Sequence, residues 1–484
     1  MKKIQIILIV FSLAFASCAN VDLDEKPSDL LNPITFFTTI DDFDAALTGA
    51  FKSLYKPYEG FDFDYPFTMT AGAEDIAVVV TRDFHALDDF TATGNQEGIV
   101  TLWPVLYQCI SNTNSIIGNL DNGNTIPKNR LDEIEGQAKF LRALSYFYLV
   151  RWFGEVQLTT LENQKDILTL KQSTEAEIYA AIISNLKDAE IKLPVTFSEK
   201  GRPTKGAAKA LLAKVYLTMA GWPIEDASYY AKAKDKAAEV MTMGYDLEPN
   251  FADLWKQEKK LSNPEFIFTF YGSATAEGSS ASHLHLSTRA ATGGEKGWGD
   301  FFSEARFYNI FPDGPRKEAS FTTNFADGSD WISTGSQPHI AKYRDAGEIF
   351  DDENGSGFLP ILRYADILLI YAEAANMAEG GPSANALEAI NKVRRRAMGL
   401  SINTPAPAVD LSSGMSQNDF DNAVLAERNW ELAFELNRWF DLVRKKMVVQ
   451  VNQSLHPNVS ENNRLLPKPT AQLIPGVLEQ NPGY

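Results

Sequence analysis

The stretch Ala138-Lys139-Phe140-Leu141-Arg142-Ala143-Leu144-Ser145-Tyr146-Phe147-Tyr148-Leu149-Val150 carries apolar side chains nearly all the way round a helical wheel. Such a helix has no face to offer water, so other helices must enclose it. This favours a multilayer helical scaffold. The stretch belongs to a helix expected from about Leu131 to Phe153, introduced by Pro127 and Asp132. Helical periodicity also covers 41–55, where Asp41 and Asp42 suit the positive end of the helix dipole, and 101–119.

Two helical hairpins look alike. One joins 205–220 to 229–243, with Ala210, Ala213 and Tyr216 on its first helix and Ala231 and Ala238 on its second. The other joins 364–378 to 384–398 through Glu379-Gly380-Gly381-Pro382. Small residues at these spacings let helices approach closely, as in tetratricopeptide pairs. Simple α-hairpin packing would leave the same pattern. A last helix is expected over 419–446, with Glu427, Glu431, Glu435, Arg438 and Asp441 on one face. The fold class is therefore mainly α: a tetratricopeptide-like helical-hairpin scaffold with irregular, loop-rich insertions.

The insertions are two. Residues 60–98 hold Phe61, Phe63, Tyr65, Phe67 and the β-branched run Ile76-Ala77-Val78-Val79-Val80-Thr81, read as loop with at most a short strand. Residues 248–357 are rich in Gly, Ser, Thr, Asn and Asp, and Glu265-Phe266-Ile267-Phe268-Thr269-Phe270 alternates like a strand. Their aromatic content argues for structure rather than disorder.

The N-terminus reads as an export signal. Lys2 and Lys3 precede the apolar stretch Ile4–Ala16, thirteen residues long and too short to span a bilayer. Phe15-Ala16-Ser17-Cys18 resembles a bacterial lipobox, with Phe15 where Leu is usual. Cys18 would then carry the lipid and become the mature N-terminus. More than one buried acyl chain makes such attachment lasting. A plain secretory signal is the alternative. Only one other cysteine exists, Cys109, in an apolar run that reads as a buried thiol. The expected organisation is a signal peptide over 1–17, lipidated Cys and acidic tether over 18–40, an N-terminal helical region over 41–247 containing the loop insertion 60–98, an irregular ligand-face insertion over 248–357, and a C-terminal helical region over 358–484. The net charge of -18, from 45 basic and 63 acidic residues, repels phosphate backbones and argues against a nucleic-acid partner.

Taken together, ordered segments resemble the SusD/RagB family of Bacteroidetes outer-membrane lipoproteins across essentially the whole mature chain. They are Leu23-Asp24-Glu25-Lys26-Pro27, Gly136-Gln137-Ala138-Lys139-Phe140-Leu141-Arg142-Ala143-Leu144 with Arg151-Trp152-Phe153-Gly154, and Arg202-Pro203-Thr204-Lys205-Gly206 running on to Ala213. Then come Leu362-Arg363-Tyr364-Ala365-Asp366-Ile367-Leu368-Leu369, Ile390-Asn391-Lys392-Val393-Arg394, and Glu427-Arg428 through Glu431-Leu432-Ala433-Phe434-Glu435 to Arg438-Trp439-Phe440-Asp441-Leu442. The ending Leu466-Pro467-Lys468-Pro469 with Asn481-Pro482-Gly483-Tyr484 also fits. One departure is Glu435-Leu436-Asn437-Arg438, where many relatives carry small residues and a His. The resemblance implies a helical scaffold with an irregular ligand face. It also implies a SusC-like TonB-dependent outer-membrane barrel as partner, capped like a lid. The implied ligand is a nutrient, usually an oligosaccharide and in some members a peptide, with no catalysis and no cofactor.

Sugar binding needs flat aromatic faces for the C–H face of a pyranose, and polar groups for its hydroxyls. Trp298, between glycines in Thr292-Gly293-Gly294-Glu295-Lys296-Gly297-Trp298-Gly299-Asp300, is the first candidate, with Arg289 close by in sequence. Trp331 in Gly328-Ser329-Asp330-Trp331 is the second, and Phe84 and Asp75 follow. Each Trp could equally turn inward to anchor its loop. Trp103, Trp152, Trp430 and Trp439 lie in helical patterns and are expected in the core. A surface-anchored glycan hydrolase is the rival of another class, and Glu431 with Glu435 is its tempting pair. Arg428, Arg438 and Arg444 nearby favour a structural ion network instead. A pure scaffold that only closes its barrel partner is the third reading. For a metal, only His283-x-His285 has any spacing, with no cysteine or carboxylate cluster beside it, so no metal site is expected.

Overall fold

A computed structural model describes residues 36–58, 65–272, 299–325, 328–343 and 357–484. The scaffold helices are α1 (Ile40–Tyr55), α2 (Glu97–Gly118), α3 (Lys128–Phe153), α4 (Glu175–Lys192), α5 (Lys205–Ala220), α6 (Ser228–Met241), α7 (Tyr364–Glu379), α8 (Ala384–Ala397), α9 (Gln417–Glu431) and α10 (Arg438–Arg444). From α1 to α8 each helix packs on the next, and α9 returns onto α7.

Helix α3 meets the requirement set by its sequence. It is covered by α1, α2, α4 and α5, and Phe140, Leu141, Leu144, Phe147 and Trp152 are all buried. Each large apolar side chain so enclosed contributes about 1.5–3 kcal/mol. The helix stops at Gly154, whose φ of 67° lies in the left-handed region that glycine enters at little cost. A β-carbon there would also stand 2.8 Å from Leu465 Cδ1. Trp103, Trp439 and Cys109 are buried as expected, Trp430 is partly buried against the core, and burial pushes the Cys109 thiol up to about 12.

The two similar hairpins, α5–α6 and α7–α8, stack directly, because α6 packs on α7 across the long insertion between them. Small residues line the hairpins: Ala210 and Ala213 on α5, Ala233 and Ala237 on α6, and Ala372 and Ala375 on α7 are fully buried, whereas Ala231 of the expected α6 pair is exposed and Ala238 half-buried. This is the tetratricopeptide-like arrangement, with 242–363 looped out between consecutive repeats. Several starts are capped by side chains: Thr39 and Asp42 form a reciprocal capping box on α1, and Thr174 and Glu177 do so on α4. Helix α4 had not been read from the sequence.

The strands are short and belong to the insertions. They are β1 (Ala77–Val78), β2 (Phe266–Tyr271), β3 (Phe301–Phe302), β4 (Phe321–Thr322), β5 (His339–Ile340) and β6 (Phe358–Arg363). They pair antiparallel as β1–β3, β2–β6 and β4–β5. The expected strand at 265–270 is β2, and its partner β6 leads straight into α7. One-turn helices at Tyr65–Thr68 and His85–Asp88 interrupt the first insertion, and α2 begins at Glu97, inside the span read as loop.

The helix expected over 419–446 is not continuous. α9 ends at Glu431 and α10 begins at Arg438, and between them Phe434 (φ 64°) and Leu436 (φ 59°) are left-handed. That conformation costs a non-glycine residue about 1–2 kcal/mol. Tertiary contacts offset it: the Phe434 N–H donates to Asp75 Oδ2 at 2.9 Å, its carbonyl accepts from the Tyr343 hydroxyl at 3.2 Å, and its ring is fully buried against Phe307 and Phe321.

Candidate functional site

Acid–base chemistry was one possible use of the C-terminal carboxylates, so their partners matter. Glu431 is fully buried, and Arg316, Arg363 and Arg396 converge on it. Glu435 is taken by Arg363 at 2.6 Å and by Lys342 at 2.8 Å. Arg363 adds Glu265 at 2.7 Å, and Arg316 adds Glu427 at 2.6 Å. A second knot joins Arg428 to Asp366 and Asp441, and Arg444 to Glu373 and Asp441. The ion-network reading holds, with different partners: the cations on Glu431 and Glu435 come from outside their own helices, and Arg438 pairs with Glu74 instead. Burial pushes the Glu431 carboxyl up, yet Arg396, Arg363 and Arg316 hold it well below the usual range. Both carboxylates are buried and held by cations, so neither is presented to a solvent-borne bond.

The face built by the insertions is different. Strand β1 from the first block pairs with β3 from the second, and Val79 N–H donates to the Asp300 carbonyl at 2.9 Å. Arg82 clasps Asp300 through Nε–Oδ1 and Nη2–Oδ2, both 2.8 Å. The Phe84 ring stacks on Phe301, centroids 5.6 Å apart and planes 14° apart. The two blocks that looked separate in the chain thus form one surface.

Trp331 sits on this surface, half-buried, with its ring 5.8 Å from that of Tyr308 at 71°. Tyr308 is half-buried as well, and the Lys317 ammonium lies 4.4 Å from its ring centre. Ile310 and Ile332 beside them are 62% and 71% exposed. The 330–335 turn is fastened internally: Ser333 N–H donates to Asp330 Oδ1 at 2.7 Å, Trp331 N–H to the Thr323 carbonyl at 3.1 Å, and Ser336 N–H to the Trp331 carbonyl at 2.9 Å. The backbone under the ring is therefore held before any ligand arrives, which limits the entropy lost on binding.

The other named residues divide. Phe84 is half-buried at the junction of the blocks. Asp75 is a correction: it is 2% exposed and its carboxylate accepts from Phe434, so it braces the α9–α10 break and cannot touch an outside solute. Trp298, Arg289, His283, His285 and Cys18 lie outside the described residues. Tyr308 and Arg82 are not singled out by the sequence, and Asp300 enters it only as the end of the glycine-rich segment around Trp298. Tyr308 has no glycine flanks to flag it, and the Arg82–Asp300 pair spans 218 positions.

A separate cleft of 260 Å³ opens between α1, the 199–202 loop and β2. Phe51, Tyr55 and Tyr271 supply rings to it, Lys52 and Lys200 supply positive charge, and Arg202 is paired with Glu199 at 3.1 Å.

Known proteins share this architecture. Residues 315–475 match the SusD family, and residues 23–217 match a family described as starch-binding and associating with the outer membrane. SusD-like protein P2 of Formosa agariphila is 30% identical over 523 aligned positions, covering all of both chains. This chain belongs to the SusD family. A crystal structure of a SusD homolog from Bacteroides thetaiotaomicron superposes with a TM-score of 0.80 at 25% identity, covering 93% of this chain and 98% of that one. A laminarin-binding SusD-like protein has the same fold, with a TM-score of 0.77 at 23% identity, covering 93% and 100%. The helical scaffold of this SusD-family chain is therefore a shared frame. A shared scaffold does not by itself name a ligand, which has to be argued from the side chains of the face.

Proposed function

We propose that this SusD-family chain is a cell-surface protein that captures a glycan on its insertion face and passes it, uncleaved, to a SusC-like TonB-dependent barrel in the outer membrane, over which it sits as a lid. Cys18 is the lipidated residue that holds it there. The observation that carries the reading is the ledge of Trp331 and Tyr308, flanked by exposed Ile310 and Ile332 on a hydrogen-bonded turn. Rings so presented suit the apolar face of a pyranose. The laminarin-binding relative and the starch-binding description of the matched family point to the same ligand class. Trp298, Arg289 and Phe84 are proposed as further contacts of the same face. Asp75 is not.

Affinity electrophoresis and calorimetry against polysaccharides, oligosaccharides and peptides test this reading. Binding of one glycan class, lost in Trp331→Ala with the helical spectrum intact, supports it. Binding of peptides alone would move the protein to the peptide-capturing members. Release of reducing ends from any bound polymer would refute capture without cleavage. The lipid anchor is tested separately: Cys18→Ala should move the protein from the membrane fraction to the soluble one.

A further inference from the structure

The short helix His85–Asp88, the start of the 305–310 helix and the chain just after Asn452 bring three potential metal ligands together. They are Asp88, Glu304 and His456, whose ligand atoms all lie within 4.8 Å of one another. His456 Nε2 is 4.0 Å from Asp88 Oδ1 and 3.9 Å from Glu304 Oε1. These separations are too long for hydrogen bonds. Donors about 2.1 Å from a shared Zn²⁺ stand about 3.4 Å apart in a tetrahedral shell, so the three side chains would draw together by roughly half an ångström to an ångström on binding.

The surroundings match a metal site in other respects. Asp88 and Glu304 are 3% and 8% exposed, so both carboxylates are largely out of water. Asp88 Oδ2 is fixed by the Val78 N–H at 2.9 Å, which leaves Oδ1 turned to the cluster. The other nitrogen of the imidazole, Nδ1, faces Asp89 Oδ1 at 3.9 Å. At that distance Asp89 makes no hydrogen bond to the ring, though a carboxylate on that side is where a metal-binding imidazole finds the partner that selects its tautomer. The Phe90 ring meets the imidazole edge-on, 5.5 Å between centres. Arg306 anchors Glu304, and is itself held by the Val451 carbonyl and by Asn452 Oδ1. His85 Nδ1 stands a further 3.7 Å from Asp88 Oδ2.

We propose that Asp88, Glu304 and His456 bind one divalent metal ion through two carboxylate oxygens and one imidazole nitrogen, water completing the shell. The mixed N,O set, with no thiolate, suits Zn²⁺ or Mn²⁺, and the imidazole disfavours Ca²⁺. The ion would staple the segment beside Phe84 to the end of β3 and to the C-terminal region. It would therefore brace the ring-bearing face from behind without touching a glycan.

The test uses the purified protein, without a polyhistidine tag, stripped with EDTA and then titrated with Zn²⁺, Mn²⁺ and Ca²⁺ by calorimetry and thermal denaturation. One ion of Zn²⁺ or Mn²⁺ per chain is expected, with a raised Tm. Affinity should fall at least tenfold in His456→Ala and in Asp88→Asn. Should Asp88→Asn fail to fold, His456→Gln carries the test, since that side chain is only half-buried. No uptake of any of the three ions, or uptake equal in wild type and in the folded His456 variants, would overturn the proposal. Neither result depends on glycan binding.

Discussion

Arg82 and Asp300 face each other through two parallel hydrogen bonds of 2.8 Å, joining insertions that are 218 residues apart in the chain. The Asp300 side chain is fully buried, whereas a third of the Arg82 side chain is exposed. The arginine therefore gives up less hydration than the carboxylate, and the fork geometry makes the contact specific. Truncating Arg82 leaves a buried carboxylate short of its cation. We expect Arg82→Ala to cost about 1–3 kcal/mol in urea denaturation, and the Arg82→Ala/Asp300→Ala double variant to recover part of it. Additive losses would mean that the pair does not couple the two blocks.

Glu431 makes a harsher prediction. Its carboxylate is fully buried among Arg316, Arg363 and Arg396, which come from three different segments. Glu431→Gln keeps the shape and removes the charge, stranding three guanidiniums with one fewer anion. The loss should be about 3–5 kcal/mol, read as a lower denaturation midpoint. Its effect on glycan affinity in the folded fraction should be small. A variant of normal stability that lost activity on a polymer would revive the hydrolase reading.

The scaffold was legible because helix burial repeats along contiguous residues. Ala138 to Val150 has no polar face, and the structure encloses it. The Ala-rich hairpins announced close packing, and the stacking of α6 on α7 delivers it. Contacts made at long range left no such trace. The break at Phe434 depends on Asp75 and Tyr343, each far away in sequence, so the charge periodicity ran through it. The partners of Glu431 were sought on its own helix, at Arg428 and Arg438, whereas Arg316, Arg363 and Arg396 reach it from elsewhere. Of the rings on the proposed ledge, Trp331 is marked in the sequence by its turn residues, whereas its neighbour Tyr308 sits in an ordinary helical pattern. The residues of the proposed metal site leave no trace in the chain for the same reason: Asp88, Glu304 and His456 share no short spacing.

Asp75 gives a pH signature. Burial, with the Glu74 charge adding to it and the Phe434 hydrogen bond opposing, pushes its carboxyl up to about 7 from an ordinary 3.8. Below pH 4 it is protonated whether folded or unfolded. Between pH 4 and 7 only the unfolded chain releases the proton, so stability falls as pH rises, by up to about 1.4 kcal/mol per unit. Asp366 and Glu373 act in the opposite sense. Burial raises them too, but Lys214 and Arg428 hold Asp366, and Arg444 and Lys445 hold Glu373, well below the usual range. Their stabilisation is present above pH 4 and is lost as pH falls below it. Asp75→Asn should therefore gain on wild type steadily between pH 4 and 7 in urea denaturation, and should not change the acid limb. Parallel stability curves across that range would contradict the raised carboxyl.

Trp331 and Tyr271 separate the two places where a ring could meet a sugar. Trp331 lies on the insertion ledge, and Tyr271 lines the 260 Å³ cleft beside Lys52, Lys200 and Arg202. Stacking on a pyranose needs a broad flat ring and tolerates a smaller one partially, so Trp331→Phe should weaken glycan binding less than Trp331→Ala. The alanine variant should lose about 1–2 kcal/mol, roughly tenfold in Kd. The turn under Trp331 is closed by backbone and Asp330 contacts that the substitution leaves in place, so Tm should hold within a degree or two. Tyr271→Ala should leave the affinity for a neutral glycan unchanged. If Tyr271→Ala abolished binding while Trp331→Ala did not, the cleft rather than the ledge would be the sugar site.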